Sequence, residues 1–403
     1  MALVGDYSFE SIALLLALVA NRNIVVPIAP AGEAEAARRA GIAGAAHVCR
    51  LAAGRAAWTT RPGGGEAPAL LAGLVASGHA GLILFSSGST GEPKAMVHDF
   101  DELLGTYRDR RARALTLLVF LRFDHIGGLN TLFTSLATGA TMVIPGSRDP
   151  DAVCELMARR AVAVLPASPT FLNLLLLSEA WKRHDLRSLR IITYGTEPMP
   201  EVLLRRLRVV FPGVKFIQTF GTSETGITHT RSKSSDSTLM KLEDLHVEYR
   251  LVDGELWLRS RTQILGYLNH PMNSFTADGW FMTGDLAEDG GDGYLRVIGR
   301  RSDVINVGGE KVLPAEVESV LLTMPGIADC LVRGESSPIT GQIVCAQVVL
   351  APGMDPAVIR QQVRKHCREH LAAFKVPVKV EVVPRTDFSD RFKKHRGPFR
   401  PPP

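Results

Sequence analysis

The sequence predicts an α/β protein with a large N-terminal domain of helix-flanked sheets and a small α+β C-terminal domain. Three observations lead to this expectation. The chain has 403 residues, more than one ordinary domain needs. Short apolar runs alternate with helical patterns over most of its length, as expected for sheets with helices on their faces. The last quarter of the chain instead predicts a helix, two strands, a helix and a strand, which is enough for a separate domain.

Six short apolar runs predict the buried strands of the N-terminal domain. They are NIVVPIAP (23–30), GLILFSS (81–87), ATMVIPG (140–146), AVAVLPA (161–167), LRIITYG (189–195) and VKFIQTFG (214–221). Helical patterns lie between them at PDAVCELMARR (150–160) and PEVLLRRLRVV (200–210), and FLNLLLL (171–177) is expected to be core. From about Val247 the pattern changes, and residues 247–260 predict a hairpin around an Asp-Gly turn. Polar stretches at 60–69 and 231–238 predict surface loops.

Composition and charge restrict the class of protein. With 46% hydrophobic and 22% charged residues, the chain has the composition of a soluble globular protein. The net charge is +5, and the basic tail RFKKHRGPFRPPP (391–403) is of a kind usually left solvated, so we expect no nucleic-acid partner. Five scattered cysteines form no CxxC pair, which favours reduced thiols in a cytoplasm. The run IALLLALVA (12–20) is too short to span a membrane and predicts a buried helix, and we expect no targeting signal.

The stretch SSGSTGEPK (86–94) carries the first sign of chemistry, because it directly follows a predicted strand. Glycines let a backbone approach phosphate oxygens closely, hydroxyls add donors, and a lysine adds positive charge. The pattern differs from the common P-loop, in which Ser or Thr follows Gly-Lys, since here Pro93 precedes Lys94 and Ala95 follows it. A flexible linker is the alternative. The preceding strand and the Pro-Lys pair favour a nucleotide site.

Further motifs follow in order, and together they identify a family. They are FDHIGG (123–128), YGTEPMP (194–200), TFGTSETG (219–226), GELWLRS (254–260), WFMTGDLA (280–287) and VIGRRSDVINVGGEKVLPAEVE (297–318). With the loop at 86–94, this set resembles the adenylate-forming superfamily of acyl- and aryl-CoA synthetases, peptide-synthetase adenylation domains and luciferases. The resemblance runs from about Asp6 to Pro384, with Phe220 in place of the family's usual tyrosine. It implies a large N-terminal portion and a small mobile C-terminal domain, which we place at residues 1–300 and 301–403.

The resemblance also implies an activity. Such enzymes join a small-molecule carboxylate to ATP, with Mg²⁺, and form an acyl-adenylate that a thiol then attacks. We therefore expect a carboxylate–CoA ligase, with CoA as co-substrate, that resembles the aryl and medium-chain acyl-CoA synthetases. Transfer to a carrier-protein phosphopantetheine or to an amine remains open, as does a protein that binds a nucleotide or acyl-adenylate with little turnover. No charged residue between His125 and Ile227 clearly signals an amino-acid substrate, which favours an acid without an α-amine.

The same resemblance assigns the site residues. The β- and γ-phosphates of ATP are assigned to Ser86, Ser87, Gly88, Ser89, Thr90, Gly91 and Lys94. The adenosine is assigned to Gly195, Thr196, Glu197, Phe220, Gly221, Asp285 and Arg300, with Phe220 stacking on adenine and Asp285 accepting the ribose hydroxyls. Mg²⁺ is assigned to Glu224, the α-phosphate to Thr222, and the pantetheine path to a segment with Gly308 and Gly309.

Some of these roles have structural alternatives. Taken singly, Glu224 could be a carboxylate favoured at a helix start, and Asp285 an ordinary turn residue. The ordered set of motifs favours the functional interpretation of both. His125 either gates the acyl pocket or is a satisfied structural histidine, whereas His98 is expected to be structural.

The chain also departs from the family pattern in three places. Only 81 residues precede Leu82, which suggests a compact member or a truncation. The hinge position after Gly-Arg-Arg is Ser302, where the family commonly has aspartate or lysine. The family's C-terminal Gly-Lys is missing: counting from Pro-Arg-Thr puts Asp390 at the position of the catalytic lysine, and a short insertion would bring Lys393 or Lys394 there instead. A disordered basic tail is the alternative for both lysines.

Overall fold

The structure is a computed structural model, and it describes residues 1–29, 32–52, 55–61, 68–86, 92–389 and 391–396. Several predictions fall outside these residues: most of the phosphate loop, at Ser87, Gly88, Ser89, Thr90 and Gly91; most of the polar stretch at 60–69; and Asp390. In the described ranges, none of the helices combines the length and the apolar character needed to cross a membrane.

The described residues form helices and strands in alternation over the first part of the chain. The α-helices are α1 (Phe9–Ala20), α2 (Glu33–Ile42), α3 (Ala69–Ser77), α4 (Phe100–Gly105), α5 (Ile126–Thr138), α6 (Pro150–Arg159), α7 (Pro169–Leu177), α8 (Glu201–Val210), α9 (Pro314–Leu321) and α10 (Pro356–His370). Short 3₁₀ turns lie at Ala180–Lys182, Arg301–Asp303 and Ala373–Lys375.

The strands extend through both domains. They are β1 (Ala2–Val4), β2 (Ile24–Ile28), β3 (His47–Ala52), β4 (Arg55–Thr60), β5 (Gly81–Phe85), β6 (Ala95–Asp99), β7 (Thr116–Leu118), β8 (Thr141–Val143), β9 (Val164–Ala167), β10 (Ile191–Tyr194), β11 (Lys215–Gln218), β12 (Phe220–Thr222), β13 (Gly226–Thr228), β14 (Thr230–Ser232), β15 (Met240–Leu242), β16 (Val247–Val252), β17 (Glu255–Ser260), β18 (Gly266–Tyr267), β19 (Phe281–Asp289), β20 (Leu295–Arg300), β21 (Ile305–Val307), β22 (Glu310–Val312), β23 (Ile327–Ser337), β24 (Gly341–Leu350) and β25 (Lys379–Val382). The six predicted strands are confirmed as β2, β5, β8, β9, β10 and β11, and the two helical patterns as α6 and α8.

Two sheets flanked by helices form most of the N-terminal domain. The first has seven strands in the order β18-β6-β5-β2-β1-β3-β4, and the second has five in the order β11-β10-β9-β7-β8. The strand pairs of the second sheet are parallel, with Ile191 opposite both Val164 and Lys215. Because their carboxyl ends meet at one edge, the loops after β7, β9, β10 and β11 converge there, where open α/β sheets usually bind ligands.

A third large sheet is antiparallel and completes the N-terminal domain. Its order is β14-β15-β20-β19-β17-β16. The predicted hairpin is β16–β17, whose turn residues Asp253 and Gly254 have φ of 50° and 74°. Strands β19 and β20 pair so that Asp285 lies opposite Arg300, which brings two predicted site residues together.

The C-terminal domain has its own sheet and core. Strands β22-β21-β24-β23 are consecutive neighbours, and β25 adds to β24 in parallel. Helices α9 and α10 pack on this sheet through buried residues such as Val317, Leu321, Ile359 and Val363. The sheets of the N-terminal domain end at Arg300. We therefore use 1–300 and 301–403 as working names for the two domains.

The sequence prediction was incomplete near the N-terminus. It did not identify β1, β3 or β4, although β1 pairs with both β2 and β3 inside the first sheet. The run expected to be a buried helix is α1, but it is buried on one face only, at Ser11, Leu15 and Leu18. By contrast, the stripe expected to be core is α7, and Phe171 and Leu172 are fully buried in it.

Candidate active site

The predicted nucleotide residues converge at the carboxyl edge of the parallel sheet. A cavity of about 100 Å³ lies there, and it is lined by Gly195, Thr196, Glu197, Phe220, Gly221, Asp285, Arg300, Lys393 and Lys394, among others. The first three follow β10, the next two follow β11, and the ion-pairing residues come from the antiparallel sheet. The last two come from the C-terminal tail. The structure thus places three distant parts of the chain around one cavity.

The loop after β10 needs glycine at Gly195. A Cβ atom there would lie 2.6 Å from Thr219 Oγ1 and 2.7 Å from the Thr219 carbonyl oxygen, which is too close for any side chain. The next residue, Thr196, has a left-handed φ of 73°, unusual for a branched residue. Glu197 then accepts hydrogen bonds from the backbone N–H of Thr170, at 2.7 Å, and of Lys394, at 3.3 Å. The loop is therefore held between α7 and the tail.

Asp285, which is buried, and Arg300, which is exposed, form an ion pair on neighbouring strands. Arg300 Nε donates to Asp285 Oδ1 at 3.0 Å. Burial raises the pKa of Asp285, and the charge of Arg300 opposes this rise. Since a carboxylate has about four lone-pair sites, one ion pair leaves it able to accept further hydroxyl donors. The next arginine, Arg301, pairs with Glu255 at 2.9 Å, and Glu255 also accepts from the Gly284 N–H at 2.8 Å.

Glu224 and Lys94 lie on either side of Tyr267. The Tyr267 hydroxyl donates to Glu224 Oε1 at 3.4 Å, and Lys94 Nζ lies 5.6 Å from the centre of the Tyr267 ring. Burial raises the pKa of Glu224, while the charges of Arg300 and Lys94 oppose the rise. Mg²⁺ in nucleotide sites is usually held by one or two carboxylates together with phosphates, and Glu224 offers one such carboxylate, partly buried.

The ends of the phosphate loop are fixed although its centre is not described. The Ser86 N–H donates to the Lys94 carbonyl at 3.2 Å, which closes the two sides of the loop at the end of the β5–β6 hairpin. Asn269 spans the exit: its Nδ2 donates to the Pro93 carbonyl at 3.0 Å, and its Oδ1 accepts from the Ala95 N–H at 2.9 Å. The sequence analysis missed Asn269.

The side chains of Thr222 and His125 each accept a hydrogen bond from a nearby backbone N–H. The Thr222 hydroxyl accepts from the Thr225 N–H at 3.0 Å, in the turn that carries Glu224. His125 caps α5, because its Nδ1 accepts from the Gly127 N–H at 3.0 Å. Burial, with the charges of Arg391 and Lys393, lowers the pKa of His125 to about 3. The ring is therefore neutral at pH 7, and its proton is on Nε2, since Nδ1 accepts.

His98 fits the structural role expected of it. It is 1% exposed, within β6, and burial lowers its pKa to about 4. The ring is therefore neutral at pH 7.

The two tail lysines point to different domains. Burial, with the charge of Arg300, lowers the pKa of Lys393, while Asp285 and Glu197 oppose this decrease. Lys393 thus lines the same cavity as these three residues. Lys394 instead sends its ammonium into the C-terminal domain, where Nζ donates to the Cys330 carbonyl and lies 3.6 Å from Asp329.

The structure does not bring every predicted residue to the cavity. Gly308 and Gly309 lie in the exposed turn between β21 and β22, with φ of 61° and 94°. Ser302 lies in the exposed 3₁₀ turn between the domains, and its hydroxyl donates to Asp303 Oδ1 at 3.1 Å.

Sequence reasoning also missed residues that hold the site. Besides Asn269, they are Tyr267, Ser168, Phe392 and Arg391. The two tail residues directly precede Lys393 in a basic segment, and that segment was the signal that could have found them. Asn269, Tyr267 and Ser168 lie in segments that look like ordinary strand ends, so the sequence alone gave no sign of their role.

Comparisons with known proteins agree with this geometry. Residues 72–268 match the model of the AMP-binding enzymes, and residues 316–391 match that of the AMP-binding enzyme C-terminal domain. The chain is 30% identical to an indoleacetate–CoA ligase of Aromatoleum aromaticum, over 76% of this chain and 64% of the relative. It is also 30% identical to a 2-succinylbenzoate–CoA ligase of Bacillus licheniformis, over 79% of this chain and 69% of that one. It thus spans less than two thirds of the first of these relatives.

The fold is shared with solved structures. The amide bond synthetase McbA from Marinactinospora thermotolerans superimposes with a TM-score of 0.74 and 26% identity, over 98% of this chain and 88% of the other. Both domains of this chain are therefore represented in a known architecture of the same size class. From these matches in sequence and structure, the chain belongs to the family of AMP-binding enzymes.

Proposed function

We propose that the protein activates a carboxylic acid with ATP to an acyl-adenylate and then joins the acyl group to CoA. One observation carries this proposal: a lysine of the C-terminal tail, Lys393, reaches the cavity lined by Asp285, Arg300 and the loop after β10. Such an arrangement supplies a cation where a carboxylate and an α-phosphate, both anions, have to meet. The names of the relatives support the reaction class, since they are acid–CoA ligases.

The nucleotide would lie along the carboxyl edge of the parallel sheet. Asp285 would accept the ribose hydroxyls beside its ion pair with Arg300, whose charge opposes the rise that burial causes in the pKa of Asp285. Gly195 and Phe220 would border adenine, because both line the cavity. Lys94, at the exit of the phosphate loop, would neutralise phosphate charge.

Mg²⁺ would be held by Glu224 together with the phosphates of ATP. When bound, such an ion neutralises phosphate charge and makes pyrophosphate a better leaving group. Tyr267 orients the Glu224 carboxylate by its hydrogen bond, and Lys94 keeps the local field positive. The role proposed for His125 is limited to a neutral Nε2–H donor beside the entering carboxylate, since its Nδ1 already caps α5.

Thioester formation would use a second domain arrangement. We propose that residues 1–300 and 301–403 move as domains about the turn at Arg301–Asp303, which brings Gly308 and Gly309 to the path of pantetheine. The exposed position of that turn and of the two glycines supports the proposal. An acyl carrier protein could present the same pantetheine. Five buried thiols support a cytoplasmic location.

An amine is the second candidate acceptor. The observation that favours it is the match to an amide bond synthetase over 98% of this chain. The nucleotide cavity and Lys393 would serve either acceptor, because both need the same acyl-adenylate first. The acceptor therefore has to be decided by experiment.

A panel of acids tests the proposal. The protein is incubated with ATP, Mg²⁺ and aromatic or aliphatic acids, and carboxylate-dependent exchange of pyrophosphate into ATP is measured. CoA or a simple amine is then added, and AMP and acyl products are identified by mass spectrometry. We expect exchange with at least one acid lacking an α-amine and a CoA thioester as product. An amide without a thioester would favour the second candidate.

Two variants serve as controls. Glu224→Gln and Lys94→Ala should each reduce exchange by at least about a hundredfold, the scale of losing one preorganised electrostatic contact. Near-parent exchange in both variants would contradict the site assignment. ATP binding by calorimetry without exchange for any acid would instead leave a nucleotide-binding protein with little turnover.

A further inference from the structure

Phe392, the residue just before Lys393, has a backbone conformation that disfavours side chains. Its φ is 50°, in the left-handed region that glycine adopts readily and a bulky residue does not. A tail without other contacts would relax out of this conformation. Contacts made by the Phe392 side chain or backbone therefore have to hold it.

The ring of Phe392 lies in an aromatic socket of the N-terminal domain, which we define as Phe120, Phe171 and Ser168. The ring centre is 5.4 Å from that of Phe120 and 5.3 Å from that of Phe171, with the second pair edge-to-face. Phe120 and Phe171 are 1% and 0% exposed, so the socket is a rigid part of the core. Such ring pairs are favourable geometries for aromatic contact.

The backbone of Phe392 is fixed by the same socket. The hydroxyl of Ser168, which also caps α7, donates to the Phe392 carbonyl at 2.6 Å. The Phe392 N–H in turn donates to the Ser389 carbonyl at 2.8 Å, within the tail. Both peptide groups that flank the strained residue are thus bonded, one to the N-terminal domain and one to the tail itself.

The tail alternates between the two domains at this point. On one side, Arg391 lies 3.4 Å from Asp124 of the N-terminal domain. On the other, Lys394 and Arg396 enter the C-terminal domain, where Arg396 pairs with Glu318. Lys393 lies between these two sets of anchors, directly after the ring that enters the socket.

We propose that Phe392 is a positioning residue: its ring docks in the aromatic socket and thereby sets Lys393 in the nucleotide cavity. The proposal rests on the proposed function, in which Lys393 assists acyl-adenylate formation. The docked ring holds the tail against the N-terminal domain, so it has to leave the socket when the C-terminal domain rotates. Phe392 therefore favours the first step of the reaction and opposes departure for the second.

Glycine and alanine variants separate the ring from the backbone. Phe392→Gly removes the ring but accepts the left-handed φ, whereas Phe392→Ala removes the ring and keeps the strain. We expect both to slow acyl-adenylate formation on the order of 10–100-fold, as for a misplaced reacting group. Phe392→Leu should fall between Phe392→Ala and the parent. Thioester formation from preformed acyl-adenylate should be unchanged or faster in all three.

A double variant tests whether Phe392 acts through Lys393. If it does, Phe392→Gly combined with Lys393→Ala should be no slower in adenylation than Lys393→Ala alone, because the positioned group is already gone. Independent structural damage would instead add the two losses. Additive losses would overturn the proposal, as would a Phe392→Gly variant that adenylates at the parent rate.

Hydrogen exchange without any substrate gives a reading that does not depend on activity. The Phe171 N–H donates to the Ser168 hydroxyl at 3.2 Å, beneath the docked ring. In Phe392→Gly, the peptides containing residues 168–173 and 391–396 should exchange faster than in the parent, while those of β10 stay unchanged. Unchanged exchange in both would overturn the docking. If Phe392→Gly exchanges faster but the parent protein adenylates no acid, the docking of the ring is supported and only the proposed function is overturned.

Discussion

Alanine at Lys393 and at Lys394 should have opposite consequences, although the two lysines are neighbours. The charge of Lys393 faces Arg300 and Asp285, and burial, with the charge of Arg300, lowers its pKa. The charge of Lys393 therefore does not stabilise the folded protein. Lys393→Ala should leave stability unchanged or slightly higher. It should slow acyl-adenylate formation about 10²–10³-fold, or about 2.7–4 kcal/mol, as when one preorganised donor is lost.

The same change at Lys394 acts on the fold. Burial alone would lower the pKa of Lys394, but the carboxylates of Glu318 and Asp329 raise it overall. A lysine whose folded pKa is raised stabilises the protein fully below its unfolded pKa of about 10.4, so at neutral pH the whole contribution is lost in the variant. Glu318 then still pairs with Arg396, whereas the buried carboxylate of Asp329 loses its ammonium partner and keeps the hydrogen bond from the Thr386 hydroxyl. Breaking such a buried pair costs about 3–5 kcal/mol.

The assay has to observe each domain separately. The tryptophans all lie in the N-terminal domain, at Trp58, Trp181, Trp257 and Trp280, so their fluorescence would not report the loss. Hydrogen exchange of the β23 and β24 peptides reports the C-terminal domain directly, and pyrophosphate exchange reports adenylation. Lys394→Ala should speed exchange in these strands, and Lys393→Ala should not.

Two outcomes would contradict these predictions for Lys393 and Lys394. Parent-rate adenylation by Lys393→Ala would show that the tail lysine in the cavity has no part in the reaction. If Lys394→Ala instead lost adenylation while β23 and β24 kept their protection, the two assignments would have to be exchanged. Thioester formation from preformed acyl-adenylate should remain nearly intact in Lys393→Ala, because that step needs no bridge to the α-phosphate.

Three further predictions concern single residues of the site and the hinge. Ser302→Pro should slow thioester formation more than adenylation, because proline fixes φ in the turn between the domains, and equal effects in rapid-quench assays would contradict a hinge. Gly195→Ala should weaken ATP binding measured by calorimetry by about 1–3 kcal/mol, as for overpacking, since its Cβ would lie 2.6 Å from Thr219 Oγ1. The pH profile of kcat/KM for adenylation should fall on the alkaline side below pH 10.5, because the lowered pKa of Lys393 makes its active, protonated form disappear early. Lys393→Arg should move that limb to higher pH, and an unmoved limb would assign it to another group.

Much of the fold was predictable because periodicity and burial agree. The strands of the parallel sheet are nearly continuous apolar runs, and burial on both faces requires that pattern. Strand β4 lacks such a signal, since all six of its residues are exposed and it is held by pairing with β3 alone. Strand β1 has only three residues, which is too short for any period to be recognised.

The site was predictable only where a motif carried it. Asp285 and Arg300 are 15 residues apart in sequence, and the register of β19 and β20 makes them an ion pair, whereas the motifs only assigned each of them to the ribose. Asn269 is bonded to Pro93, 176 residues away, through backbone groups that any residue possesses. Contacts of that kind leave no pattern in a single sequence, because the partner's identity is not restricted.

In the tail, counting along the family motif and the lining of the cavity point to different residues, since the cavity is lined by Lys393 and Lys394. Counting from Pro-Arg-Thr leads to Asp390, three positions before Lys393. The described residues on either side of Asp390 pair with one another: Phe388 pairs with Lys394, the Ser389 N–H donates to the Lys393 carbonyl at 2.9 Å, and the His395 N–H donates to the Asp387 carbonyl at 3.1 Å. A hairpin of this kind returns the chain close to its starting point, so inserted residues need not shift the residues after them. Phe392, with its φ of 50°, lies within this segment. Its ring is partly buried against the core of the N-terminal domain, so the contact that holds this strained residue also holds the next residue, Lys393, at the cavity.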